Sequence, residues 1–537
     1  MGLIATLVLD IAASWIRMFT ALFLSIVFSI YVGITAATNH KKERIILPLL
    51  DIFQTIPILG FFPVVIYFVV LVLPGFIGIN AAVVFLIFTS MVWNISFGVY
   101  EAIKSIPSEI IELARLNHFS ESQLYTKIYI PAALPRIAYQ SVISWSVGLF
   151  YLVTSEIFST GTANFQVTYG IGVAISKLAA SGSGLDYAIA LAMFVIAVIL
   201  TRVMFLQPLS IFAEKHSFKE ETTNKKSAVI DIYTRIYVRA KKTFKPLASL
   251  LKSSRIFVAR GSKGYEFVGK YFQRYIISPT ERFKLSNNVA IGIIGVLAGI
   301  LIADAAAIGI EQYLPQVIYA LAFSFVRIWG TYIVAAIIAV PLGIVVAKSR
   351  FFESALSALQ VISAIPATIL LPVIVVLVIN LPLSGEIAAF VVIFLAMIWY
   401  VLFSVISGMR TIPEQMFELK KMMHLSNVQT WKNIYIPAIL PSFITGSITA
   451  IGGGWNALIV AEYFTVNSNG NSVVLTQVGT GLGKLIDLSV SPPAPLQANL
   501  LLTIMALAAM TIMVLAINRF FWQRIYNKIT SKYKVGI

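Results

Sequence analysis

Two stretches of the chain, 306 residues apart, set carboxylates, a histidine and prolines at one spacing. The first runs Ile106-Pro-Ser-Glu109-Ile-Ile-Glu112-Leu-Ala114-Arg-Leu-Asn-His118 and closes on Ile128-Tyr-Ile-Pro131. The second runs Ile412-Pro-Glu414-Gln-Met-Phe-Glu418-Leu-Lys-Lys-Met-Met-His424 and closes on Ile434-Tyr-Ile-Pro437. An Ile-Pro pair suits the first turn of a helix, and Glu109 or Glu414 then sits where a carboxylate favours the helix dipole. The spacing predicts a short helix, a turn and a second short helix, with Pro131 and Pro437 marking the return toward an apolar segment. Such a hairpin makes and breaks no bonds; it can dock. An ordinary solvated amphipathic hairpin is the plainer reading, and the repetition of the spacing counts against it. A second set, Glu156 and Glu462 with Trp455, is the candidate substrate pathway or gate, since an ionisable group within or at the end of a membrane helix is costly and often functional.

Catalytic and metal chemistry find little support. Cysteine is absent, which removes thiolate nucleophiles, thiolate metal sites and disulfides. His40, His118, His216 and His424 are too scattered for a metal cluster. No phosphate-binding Gly-x-x-x-x-Gly-Lys-Ser/Thr run occurs; Gly479-Thr-Gly-Leu-Gly-Lys484 is one residue short and is followed by Leu485. No cofactor is expected.

The elements that must hold these residues are membrane helices. Apolar residues make up 58% of the 537, charged residues 12%, and mean hydropathy is +0.88; soluble domains carry about 25% charged residues. Runs such as Met18–Ala37, Asn80–Val99, Tyr187–Phe205 and Ile387–Ile406 reach the roughly 20 residues that a transmembrane helix needs. Residues 1–13 contain Asp10, lack a basic start and lead straight into an apolar stretch, so no cleavable signal peptide is expected.

The chain also repeats itself. Ser14-Trp-Ile-Arg17 matches Ser324-Phe-Val-Arg327, Gly33 matches Gly343, Gln54-Thr-Ile-Pro57 matches Ser363-Ala-Ile-Pro366, and Trp93 matches Trp399. One order and nearly one offset imply two copies of a membrane unit. The expected division is residues 1–209, a first unit of about five helices; 210–287, a basic linker; and 288–537, a second unit of about six. The added run Val289–Ile308 makes the two copies parallel, giving about eleven crossings in an all-α polytopic protein. The linker carries 17 Lys/Arg against 6 Asp/Glu. With the basic loops around Lys41, Lys104, Lys348 and Lys420, it places one face in the cytoplasm. The N-terminus is then outside and the C-terminus inside a cell membrane. Nucleic acid is not an expected partner; the linker suits either amphipathic helices on anionic lipid or a plain tether. The triplet Gly452–Gly454 suits close helix packing, and no Lys or Arg is identified as lining a buried cationic pocket.

The twin loops resemble the EAA loop of the permease subunits of ABC importers, whose pattern is Glu-Ala-Ala, a later Gly, and Ile-x-Leu-Pro. Glu112, Ala114, Ile128 and Pro131 fit it in the first copy, and Glu418, Ile434 and Pro437 in the second. The departures are His118 and His424 at the Gly position, Ile130 and Ile436 before the prolines, and Leu419-Lys420 for Ala-Ala. Without glycine, the turn is expected to be made by other means. The Trp455-x6-Glu462 element followed by Gly481-Leu-Gly483 resembles the nitrate/sulfonate/taurine subfamily. The resemblance implies a transport subunit, not an enzyme, whose loops couple to two separate ATP-binding subunits by alternating access. It also implies an external solute-binding protein, docking on residues 160–186 and 465–497. An ion-coupled secondary transporter is the alternative; it would normally need intramembrane acids or histidines, and here the acids are few.

Overall fold

The computed structural model describes residues 2–55, 57–60, 75–158, 167–180, 183–209, 310–468, 471–490 and 499–532, together with 65, 69, 72 and 73. The linker 210–287 and the run Val289–Ile308 lie outside the described residues.

The first unit opens with α1 (Leu3–Thr38) and α2 (His40–Thr55). After α3 (Phe76–Lys104) come the short α4 (Ser108–Leu116) and α5 (Glu121–Leu124), then α6 (Ile130–Phe158), α7 (Ile171–Ala180) and α8 (Gly184–Thr201). The second unit repeats the order with α9 (Ile310–Lys348), α10 (Phe352–Ser363), α11 (Ala367–Val378), α12 (Ser384–Arg410), α13 (Glu414–Met422), α14 (Asn427–Thr430) and α15 (Ile436–Glu462). A feature without counterpart among the described residues of the first unit follows, the antiparallel hairpin β1 (Tyr463–Ser468) and β2 (Asn471–Gln477). The chain then closes with α16 (Leu482–Val490), α17 (Leu500–Ala516) and α18 (Gln523–Lys532).

The protein is thus an all-helical membrane fold with two repeated units, apart from that one hairpin. Among the described residues, eight helices are long and apolar enough to span a membrane, and the twelve-residue α11 is a shorter apolar helix. The expected count of eleven also draws on the runs near 50–74 and 289–308, which lie partly or wholly outside the described residues. The second crossing of the second unit is split between α10 and α11. Pro366 supplies no amide and disfavours helix at Ile365, so the chain bends at 364–366 and restarts at Ala367.

Each unit packs α1 on α3 and α3 on α6, or α9 on α12 and α12 on α15. Small residues set the approach. A Cβ on Gly33 would lie 2.7 Å from Val99, and one on Gly343 would lie 2.7 Å from Val405. The same crossing is therefore built twice, at a separation that only a hydrogen side chain allows. The glycine triplet behaves partly as expected: Gly453 abuts the Tyr400 ring and Gly454 abuts Met397, while Gly452 meets nothing. Large apolar side chains such as Phe23, Ile196, Ile337 and Ile512 stay exposed on the long helices, the pattern expected where lipid is the solvent.

Candidate functional site

Two local structures are built twice. The first is the loop at 106–131 and 412–437. In the first copy, α4 ends with Phe119 N–H donating to the Ala114 carbonyl at 3.0 Å and His118 N–H donating to the Arg115 carbonyl at 2.9 Å. This is the Schellman ending of a helix, whose residue after the cap is left-handed and usually glycine. Here that residue is His118, at φ 56°. In the second copy, Leu425 N–H donates to the Lys420 carbonyl at 3.1 Å and His424 sits at φ 47°. The expectation of a different turn is therefore corrected: the backbone makes the glycine-type turn with histidine in it.

A capping box follows at once. Ser120 Oγ accepts from Gln123 N–H, and the Gln123 amide oxygen accepts from Ser120 N–H; Ser426 and Gln429 repeat it. A five-residue π turn then leads into each long helix, Tyr125–Tyr129 before α6 and Trp431–Tyr435 before α15. Pro131 and Pro437 lack the amide that would continue α-type bonding, and the preceding turn closes instead through Ile130 N–H to the Tyr125 carbonyl and Ile436 N–H to the Trp431 carbonyl. The prolines therefore lie within the first turn of α6 and α15.

Glu112, His118, Glu418 and His424 are exposed, as is Pro131; Ala114 and Ile434 are buried, and Ile128 and Pro437 are half-buried. Around them Leu113 and Leu116 are 61% and 75% exposed, and Met422 and Met423 are 78% and 60% exposed. Apolar side chains this open on a polar hairpin are candidates for a partner contact.

The second repeated structure is a buried ion pair at the far end of α6 and α15. Glu156 is fully buried, and its Oε1 accepts from Arg17 Nη1 at 2.6 Å and from Ser14 Oγ at 2.7 Å. Its Oε2 accepts from Gly172 N–H at 2.9 Å. Ile171 N–H donates to Ser14 Oγ, and Arg17 also reaches the Tyr169 carbonyl and Asn80 Oδ1. Glu462 repeats this with Arg327, Ser324 and Gly483 N–H, while Leu482 N–H donates to Ser324 Oγ and Arg327 donates to the Thr480 carbonyl. A Cβ on Gly172 would lie 2.8 Å from the Val153 carbonyl, and one on Gly483 would lie 2.7 Å from Ile459 Cα, so the glycines let α7 and α16 close on the carboxylates. The two arginine side chains are only 6% and 8% exposed, and each is paired with a glutamate. Trp455 is fully buried, with no hydrogen-bond partner for its indole N–H among the described residues.

The sequence shows the glutamates, the Gly481-Leu-Gly483 element and the Ser-x-x-Arg matches separately. It does not join them, since Arg17 and Glu156 are 139 positions apart.

A family model described as the binding-protein-dependent transport system inner membrane component matches residues 25–208 and again 339–531. The chain belongs to that family. Its ABC permease domain is present twice. The permease is 30% identical over 140 residues to a nitrate import permease protein of Synechocystis sp., covering 26% of this chain and 50% of that one. It is 28% identical over 157 residues to a taurine transport system permease protein of Escherichia coli, covering 29% and 54%. The chain thus spans about half the length of those two relatives. A trimethylamine N-oxide transport system permease protein of Ruegeria pomeroyi aligns across both units, 22% identical over 504 residues, covering 86% of this chain and 71% of that one.

Proposed function

We propose that this permease is the membrane-spanning part of an ATP-driven importer. A small polar or charged solute, of the kind named for its relatives, is handed over by an external binding protein and crosses by alternating access between the two units. Two ATP-binding subunits dock on the loops at 106–131 and 412–437 from the cytoplasmic side, where the linker and C-terminus also lie. Glu112 and Glu418 meet the docked subunit with charge, and Leu113, Leu116, Met422 and Met423 meet it with apolar area.

The observation that carries this reading is the loop construction. A docking element transmits displacement only if it is stiff. Each loop has a Schellman ending, a capping box and a proline-marked π turn that fix the hairpin to the long helix behind it. Its exposed face is apolar where an idle hairpin would be polar. The buried ion pairs then hold the opposite ends of α6 and α15, so that each unit tilts as a body.

The test is recovery of partners from mild detergent extracts of cells expressing the tagged chain. An ATP-binding subunit is expected to co-purify, and to be lost from the Glu112→Ala/Glu418→Ala double variant while the chain itself stays folded. Absence of any ATPase, with uptake driven by a proton gradient, would instead favour an ion-coupled transporter.

A further inference from the structure

The long helices behind the two loops differ along their length in what they face. On α15, Thr445, Thr449, Gly452 and Asn456 follow one another by four, three and four residues and so share a face. Thr445 and Thr449 are exposed, and a Cβ on Gly452 would meet no atom within 4 Å. Asn456 is where this face meets the other unit: its Oδ1 accepts from Leu59 N–H at 3.2 Å. Beyond it every residue from Ala457 to Tyr463 is buried.

On α6 the corresponding face is Ser146, Phe150 and Thr154. Ser146 is exposed on a cleft that it shares with Arg202 of its own unit and with Val361 and Ala364 of the other. Phe150 is half-buried. Thr154 Oγ1 lies 3.2 Å from Thr368 Oγ1 of the second unit, and Tyr151 to Ile157 are all buried.

The two contacts use equivalent segments but not equivalent positions on the long helices: Asn456 matches Phe150, and Thr154, one turn further on, matches Val460. Leu59 stands two residues after Pro57, and Thr368 two residues after Pro366, the duplicated prolines. Each unit therefore sets the segment after its proline against the other unit's long helix, and openness ends there on both sides. Gly60 adds to the fit, packed among Met510, Leu507 and Ile459 of the second unit.

We propose that Leu59, Thr154, Thr368 and Asn456 form the seal across the path between the units. It is shut toward the buried ion pairs and open toward the twin loops. The polar groups of the seal are hydroxyls, an amide and a backbone N–H, with no charge among them. Such neutral contacts are weak beside buried, charge-assisted ones, so the seal parts while the Arg17–Glu156 and Arg327–Glu462 pairs hold. The stripe below it offers the hydroxyls of Thr445, Thr449 and Ser146, the last beside the Arg202 guanidinium in the cleft they share. This deepens the importer reading, and rests on it only for the direction of travel.

The absence of native cysteine makes the test direct. The full chain carrying Thr154→Cys with Thr368→Cys, and a protease site within residues 210–287, is oxidised with copper phenanthroline in membrane vesicles. The two halves are expected to stay joined after cleavage and to separate on reduction. Leu59→Cys with Asn456→Cys is the second pair, used where the first does not accumulate. Singly substituted Gly452→Cys is expected to react with an impermeant maleimide from the side of the loops and not from the other side. Halves that separate without reductant in both pairs, or equal labelling of Gly452→Cys from both sides, would overturn the seal. Neither result depends on an ATPase being present, so failure of the seal and failure of the importer reading are separable.

Discussion

The two ion-pair clamps share a centre and differ in what surrounds it. Ser14, Arg17, Glu156 and Gly172 superpose in role on Ser324, Arg327, Glu462 and Gly483. At the position beside the arginine, the first unit has neutral Asn80 and the second has Glu386, which grips Arg327 through both oxygens at 2.9 Å. The loop amides are supported differently as well. Asp10 of α1 accepts from Gly170 N–H, whereas Glu386 itself accepts from Gly479 N–H. One charge can be moved around a buried pair provided that the pair keeps its own hydrogen bonds. The cost of burial falls on the inner ions, and the outer support is free to vary.

That difference makes the first clamp the more fragile. Glu156→Ala leaves Arg17 buried without its carboxylate, and is expected to cost about 3–5 kcal/mol, read as loss of the folded chain in detergent melting. Glu462→Ala leaves Arg327 its second carboxylate, and should cost less, about 1–3 kcal/mol; equal losses would break the comparison. Glu386→Asn, which copies the first unit, should cost under about 1 kcal/mol because the Glu386 side chain is 36% exposed and screened by solvent.

The twin loops predict a smaller effect of opposite sign. A non-glycine residue in the left-handed region costs about 1–2 kcal/mol, partly offset by the greater freedom that glycine loses on folding. His118→Gly and His424→Gly should therefore stabilise each turn by about 0.5 kcal/mol, seen as slower amide exchange at Phe119 and Leu425. The smallest effect concerns Glu43, beside α3 on α2. Hydrogen bonds accepted from Tyr100, the largest cause, and from His40 and Lys104 lower its carboxyl from the ordinary 4.5 to about 2. A depressed value stabilises above the ordinary one and loses that contribution as pH falls from 4.5 toward 2. Tyr100→Phe should raise the Glu43 titration midpoint, followed by carboxylate infrared absorbance.

Particular residues mark how far sequence reading reached. The prolines at 131 and 437 announced the return into the long helices, because a missing amide acts locally whatever the rest of the chain does. His118 misled for the same reason in reverse. Propensity disfavours histidine in a left-handed turn, but the Schellman hydrogen bonds and the docked helix behind it impose that conformation. The pairing of the arginines was not legible, because hydropathy sees Arg17 only as a charge near a helix end. Its neutralising partner arrives only when α6 folds back onto α1.

What the sequence by itself determined was everything carried by period, composition and repetition: a membrane protein, helical, in two copies, with one loop pattern used twice. These follow from bilayer thickness, backbone hydrogen bonding and proline geometry, all of which act over a few residues at a time. Only the tertiary structure decided which carboxylate meets which arginine, that the glycine pairs exist to let a loop reach a buried glutamate, and where the two units touch. Those contacts join residues more than a hundred positions apart, and no local preference encodes a partner at that distance.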